Sequence, residues 1–130
     1  KSDHMSYLKK KQLQYEINNL KRLLDFMTDE NIHLKNRISE ILSDRFDTYL
    51  LEEVDGFQSS LIREDNLIAL LKNEITEVDS LMRKEADKDA SILKRTEVKL
   101  KRLHRNMQTA EKQFGKLKLQ FHRFLSKNIV

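Results

Sequence analysis

The chain of 130 residues has no cysteine, no proline and no tryptophan, and only two glycines, Gly56 and Gly115. Lack of cysteine excludes disulfides and thiolate chemistry and accords with a reducing compartment, so cytoplasmic is the default expectation. Lack of proline, with so little glycine, removes the strand-and-turn punctuation that sheet proteins need. Long apolar runs are missing too. The longest, Leu67 to Leu71, is far short of the roughly 20 residues that cross a bilayer, and no charged-then-apolar N-terminal segment resembles a secretion signal. Membrane insertion is not expected. Residues 1–5 read as a cloning remnant, because a His-Met pair just ahead of a start is what a common cloning site encodes, so His4 is given no role.

What the chain does have is charge: 35% of residues are charged against 38% hydrophobic, too little apolar material for a thick globular core but suited to elongated helices. Disorder would fit such a composition, yet disordered segments lack regular apolar spacing, and here the spacing is regular almost throughout, so disorder is expected only at the two ends.

Three heptad registers carry the argument. In the first, Leu13, Ile17, Leu20, Leu24, Met27, Asn31, Leu34, Ile38 and Ile41 step by four and three, with Ile17, Leu24, Asn31 and Ile38 at position a. Such a period keeps one seam against a neighbour and predicts an association seam of coiled-coil type. The second runs through Val54, Phe57, Leu61, Glu64, Ile68, Leu71, Ile75, Val78 and Met82; with Leu67, Ala69 and Leu70 added, its middle is apolar around most of the helix and is expected to touch helices on more than one side. The third takes Leu93, Thr96, Leu100, Leu103, Met107, Ala110, Phe114, Leu117, Phe121 and Phe124, and its large rings suit three or more helices better than a tight dimer.

The registers do not join smoothly. Ile38 and Val54, both at a, lie two residues beyond a whole number of heptads, so a break is expected; the capping residues of 43–48 place the turn near 44–48, with Asp55-Gly56 a weaker candidate. Between Met82 and Leu93 the slip is a stutter that a continuous helix can absorb, and the polar segment 84–91 offers caps in Asp87, Asp89 and Ser91. A hairpin at 85–91 and a swapped antiparallel dimer would make nearly the same contacts; the hairpin is preferred. The expected fold is therefore all-α: an elongated three-helix bundle or antiparallel coiled coil, self-associating, one domain over 6–130, with helices at about 6–44, 48–84 and 90–127.

Charge is unevenly spread. Eight Lys/Arg against five Asp/Glu give +3 over residues 1–39, six against fourteen give −8 over 40–91, and eleven against two give +9 over 92–130. Laid antiparallel, with Ile75 near Leu103 and Leu61 near Leu117, the second and third helices would set acidic flanks beside basic ones and so choose partner and orientation. The hairpin seam would then comprise Val54, Phe57, Leu61, Ile68, Leu71 and Ile75 against Leu100, Leu103, Met107, Phe114, Leu117 and Phe121.

Function follows from these seams. Asn31, alone polar in the first seam, either fixes register by pairing with its copy in a dimer or sits partly exposed and met by water. Glu64, at a d position, would snorkel outward or meet Lys112 or Lys116. His33, His104 and His122 lie outside the seams and lack metal-ligand spacing, while Glu52-Glu53 and Glu64-Asp65 are adjacent and so diverge around a helix. No catalytic, metal or cofactor site and no small-molecule substrate are expected. The expected function is a non-enzymatic structural or adaptor protein acting by helix–helix association, with itself, most simply as a dimer, or with another helical protein. The rival is nucleic-acid binding through Lys94, Lys99, Lys101, Arg102, Arg105, Lys112 and Lys116 of the basic C-terminal helix. The opposite charge of the middle segment argues for a paired or solvated face there.

Overall fold

The computed structural model describes residues 2–44, 48–85 and 89–128. Three helices, α1 (Ser2–Asp44), α2 (Thr48–Glu85) and α3 (Ser91–Asn128), pack against one another as an all-α three-helix bundle, with no strand among the described residues. Each heptad seam makes one stripe of its helix apolar, and a bundle is the arrangement in which three stripes bury one another. All nine positions of the first seam are buried, as are all ten of the third; in the second only Phe57 is half-buried. As expected, α2 touches helices on more than one side, α1 and α3, but contact does not run all round it: Leu67 packs at the core edge, while Ala69 and Leu70 face outward, Leu70 at 55% exposure. Two stripes of contact, toward α1 and α3, already use the inner half of the helix. Off the first seam Leu23 and Leu42 pack on the core, whereas Phe26 and Ile32 are exposed.

Directions follow from the cross-helix pairs. Lys21 meets Asp79 and Lys35 meets Asp65, each at 2.5 Å, so numbers rise along α1 as they fall along α2. Lys9 pairs with Glu97 and Glu30 with Lys118, so α1 and α3 run parallel. The rings of Phe57 and Phe121 stand 5.1 Å apart, so α2 and α3 run antiparallel, on the diagonal along which the sequence is expected to set Leu61 near Leu117 and Ile75 near Leu103.

The break between the second and third registers is a true reversal, since α2 ends at Glu85 and α3 begins at Ser91. Asp89 starts the new helix: its side chain accepts the Ser91 N–H at 2.9 Å and its carbonyl the Ile92 N–H at 3.1 Å. The Ser91 backbone N–H, followed by the Ser91 hydroxyl, holds the Asp89 carboxyl below its usual range, as expected of an anion at a helix N-terminus. Asp87 and the middle of both connections, 45–47 and 86–88, lie outside the described residues.

Asp55-Gly56 is not a break, because α2 runs through it. Neither glycine has a positive φ, and a Cβ on Gly56 or Gly115 would meet nothing within 4 Å. Glycine there only adds freedom to the unfolded chain. Gly56→Ala and Gly115→Ala should therefore each raise stability by about 0.5–1 kcal/mol in urea denaturation; a loss in either would contradict the open space around it.

Candidate interaction faces

Three kinds of surface remain once the seams are buried: the rows flanking the core, the grooves between helices, and the outward ridges. The flanks hold most of the cross-helix electrostatics. Along the α1–α2 edge, position e of one helix meets position e of the other, which brings Lys21 to Asp79 and Lys35 to Asp65. Asp79 is 7% exposed yet takes Lys21, Arg83 and Gln14 as donors. Burial alone would push its carboxyl up, but these three donors together hold it below the usual carboxylate range. Sequence patterning gave Asp79 no notice, although Gln14, Lys21 and Asp79 all occupy flank positions. Along the α1–α3 edge, Lys9 bonds to Glu97 and keeps that carboxyl low, and Lys118 bonds to Glu30 at 2.5 Å.

The expected charge pairing of α2 with α3 is absent: among the described residues no ion pair joins them, and every cross-helix pair involves α1. The reason lies in position rather than total charge. Glu53, Ser60, Gln120 and Lys127 all line a groove of about 520 Å³ between α2 and α3, so the α3 row facing α2 is Lys99, Asn106, Gln113, Gln120 and Lys127, mostly uncharged. Of the other α3 cations, Lys118 sits at e, against Glu30 of α1, and the rest at b, c and f.

Inside the bundle, Asn31 is fully buried, away from solvent, and its partners lie within its own chain. Its amide donates to the Leu61 carbonyl at 3.0 Å and to the Asp65 carboxylate, both on α2. Register is thus fixed within the chain. Glu64 neither snorkels nor reaches Lys112 or Lys116: it is 8% exposed, its Oε2 has no hydrogen-bond partner among the described residues, and burial pushes its pKa up. The Asn31 and Thr96 side-chain oxygens are likewise buried without partners.

The residues of the association and hairpin seams therefore come together in one core rather than on two separate faces. Of the seven basic residues read as polyanion-binding, Lys94, Lys101, Arg102, Arg105, Lys112 and Lys116 are exposed, Lys99 is half-buried, and among the described residues only Lys101 has an ion-pair partner, Glu97 at 3.8 Å. His33 and His122 line a second groove, of about 400 Å³ between α1 and α3, together with Phe26, Glu30, Leu34 and Lys118. Among the described residues no three His, Asp or Glu side chains gather as a metal would require, and no helix is long and apolar enough to cross a membrane. Compared with protein-family models, with curated proteins and with solved structures, the chain finds no match.

Proposed function

We propose that this protein is a non-enzymatic helical scaffold that works by helix–helix association, its three seams building a rigid rod and the outer side of α1 taking a second copy. One observation carries the reading. Leaving out Met5 of the remnant, five of the ten large apolar side chains exposed among the described residues lie on α1. Leu8, Tyr15 and Phe26 fall on a single outward c/f line, at 48%, 60% and 57% exposure, with Gln12, Asn19 and Arg22 between them. Aromatic and aliphatic side chains spaced along one helical line, separated by uncharged or singly charged residues, match the anchor pattern of helix-on-helix recognition. An enzyme would instead need acid, base or nucleophile groups converging in a cleft, and both grooves described above are open to solvent rather than enclosed.

Sedimentation velocity tests this. Wild type should form a concentration-dependent dimer, and Tyr15→Lys with Phe26→Lys should be monomeric with unchanged thermal stability, because neither side chain belongs to the core. A wild-type chain that stays monomeric through the micromolar range would remove self-association from the proposal.

A further inference from the structure

The outward ridge of α3 differs in kind from that of α1. Positions c and f run Arg95, Val98, Arg102, Arg105, Thr109, Lys112, Lys116, Leu119 and Arg123, and all nine are exposed. Six are cations. None of the six makes an ion pair among the described residues; Arg95 alone lies near enough to an acid, Asp89, to lower its pKa. The two acids of α3, Glu97 and Glu111, occupy position e on the α1 side, off the ridge, and Glu97 is already engaged by Lys9. The row beside the ridge adds Lys94 and Lys101. The result is a straight line of positive charge about 42 Å long at 1.5 Å per residue, on a molecule whose formal net charge is only +4. Like charges this close repel, and a fold needing nothing from them would gain by interspersing acids, as the α1 and α2 flanks do.

We infer that this ridge is a binding site for the phosphate backbone of double-stranded DNA. Four of the six cations are arginines, whose planar forks bind phosphate oxygens in bidentate fashion. No aromatic side chain stands on the ridge, so the stacking platform that single strands require is missing. A lone helix edge 10–12 Å across fits the B-form major groove, about 12 Å wide, whereas the A-form major groove of duplex RNA is too narrow and deep. A straight helix follows a curving groove for only part of its length, so about three to five cations reach phosphates at once. With no base-reading pattern among them, binding is independent of sequence. This site is separate from the α1 face, so either can fail without the other.

A labelled DNA duplex of mixed sequence, about three helical turns long, tests it by fluorescence anisotropy. The full chain should bind, and affinity should fall roughly 100-fold between 50 and 200 mM salt, a log–log slope of about −3 to −4. Arg102→Gln with Arg105→Gln should lower that slope by about 2, and so should Lys112→Gln with Lys116→Gln, made independently. Circular dichroism should show both variants fully helical, since all four side chains are exposed and unbridged. No binding at 50 mM salt, or variants that bind as wild type does, would overturn the site. Equal affinity for an RNA duplex would overturn the choice of DNA, and equal affinity for polyglutamate would assign the ridge to an acidic protein instead.

Discussion

Phe121→Ala is expected to lower the unfolding free energy by about 3–5 kcal/mol, the usual loss when a buried phenylalanine is truncated in a packed core. Phe121 is 1% exposed and stands at the end of the bundle opposite the α2–α3 hairpin. Its ring lies edge-on to Phe57 at 5.1 Å and stacked near Phe124 at 6.4 Å, while Phe57 and Phe124 are 5.3 Å apart. Removing the central ring thus forfeits transfer energy, leaves a cavity that two straight helices cannot close, and breaks two of three aromatic contacts, each worth about 0.5–1.5 kcal/mol beyond area. With stabilities of single domains near 5–15 kcal/mol, the urea midpoint should fall by about a fifth or more. Leu119→Ala, on the same helix but 51% exposed, should stay within about 0.5 kcal/mol. If the two variants proved alike, the third seam would not be the side of α3 that the fold buries.

That seam, like the others, was legible because a heptad is a local property: each apolar residue reports its face of the helix whatever lies opposite. For the same reason helix limits read from caps and register slips fall within a few residues of those found, α2 and α3 starting at Thr48 and Ser91. What one face meets is not local. Summed charges suggested that α2 and α3 attract, but the sum counts the outward arginines of α3 equally with its inward flank, where only Lys99 and Lys127 carry charge. Asp79 shows the same limit from the other side. Nothing at residue 79 marks it, because its three donors arrive from Gln14 and Lys21 on α1 as well as Arg83 on its own helix. Asn31 was legible as a register-setting residue but not in its partner, since a seam amide can pair with a copy or with another helix of the same chain, and only the hairpin topology decides for Leu61 and Asp65.

The candidate faces divide along the same line. A c/f ridge is written plainly in the sequence, yet its meaning depends on whether neighbouring helices bring acids to it. Asp25, Asp65 and Asp79 are taken up between α1 and α2 and Glu30 by Lys118, leaving the outward c/f cations of α3 to solvent. One helix thus presents apolar anchors and another presents charge, so a scaffold of this kind could self-associate on one side while its other side engages a polyanion.

Glu64 should make the bundle's stability depend on pH in a direction opposite to that of most carboxylates. Its pKa is raised above the ordinary 4.5 by burial, so the folded chain holds this proton more tightly than the unfolded chain does. The stabilising contribution of the proton is complete below about pH 4.5; it is lost as pH rises through the elevated folded value, above which a buried charge without a partner remains. Protonation also supplies a donor within the α1–α2 seam, where Asn31 Oδ1 and Glu64 Oε2 both lack partners among the described residues. Glu64→Gln removes the titration while keeping shape and polarity, so wild type should lose stability relative to this variant between acid and neutral pH. Glu64→Leu goes further, filling a seam position with the side chain the heptad calls for. At pH 7 it should be more stable than wild type by about 1–3 kcal/mol, the penalty of an unsatisfied buried polar group. Asp79 provides the contrast, because its pKa is lowered by its donors: stability it contributes is present at neutral pH and is lost on acidification. Urea midpoints measured across pH for wild type, Glu64→Gln and Asp79→Asn separate the two slopes. A wild-type curve parallel to that of Glu64→Gln would show that the carboxyl reaches solvent or a cation after all, as the seam pattern by itself had suggested.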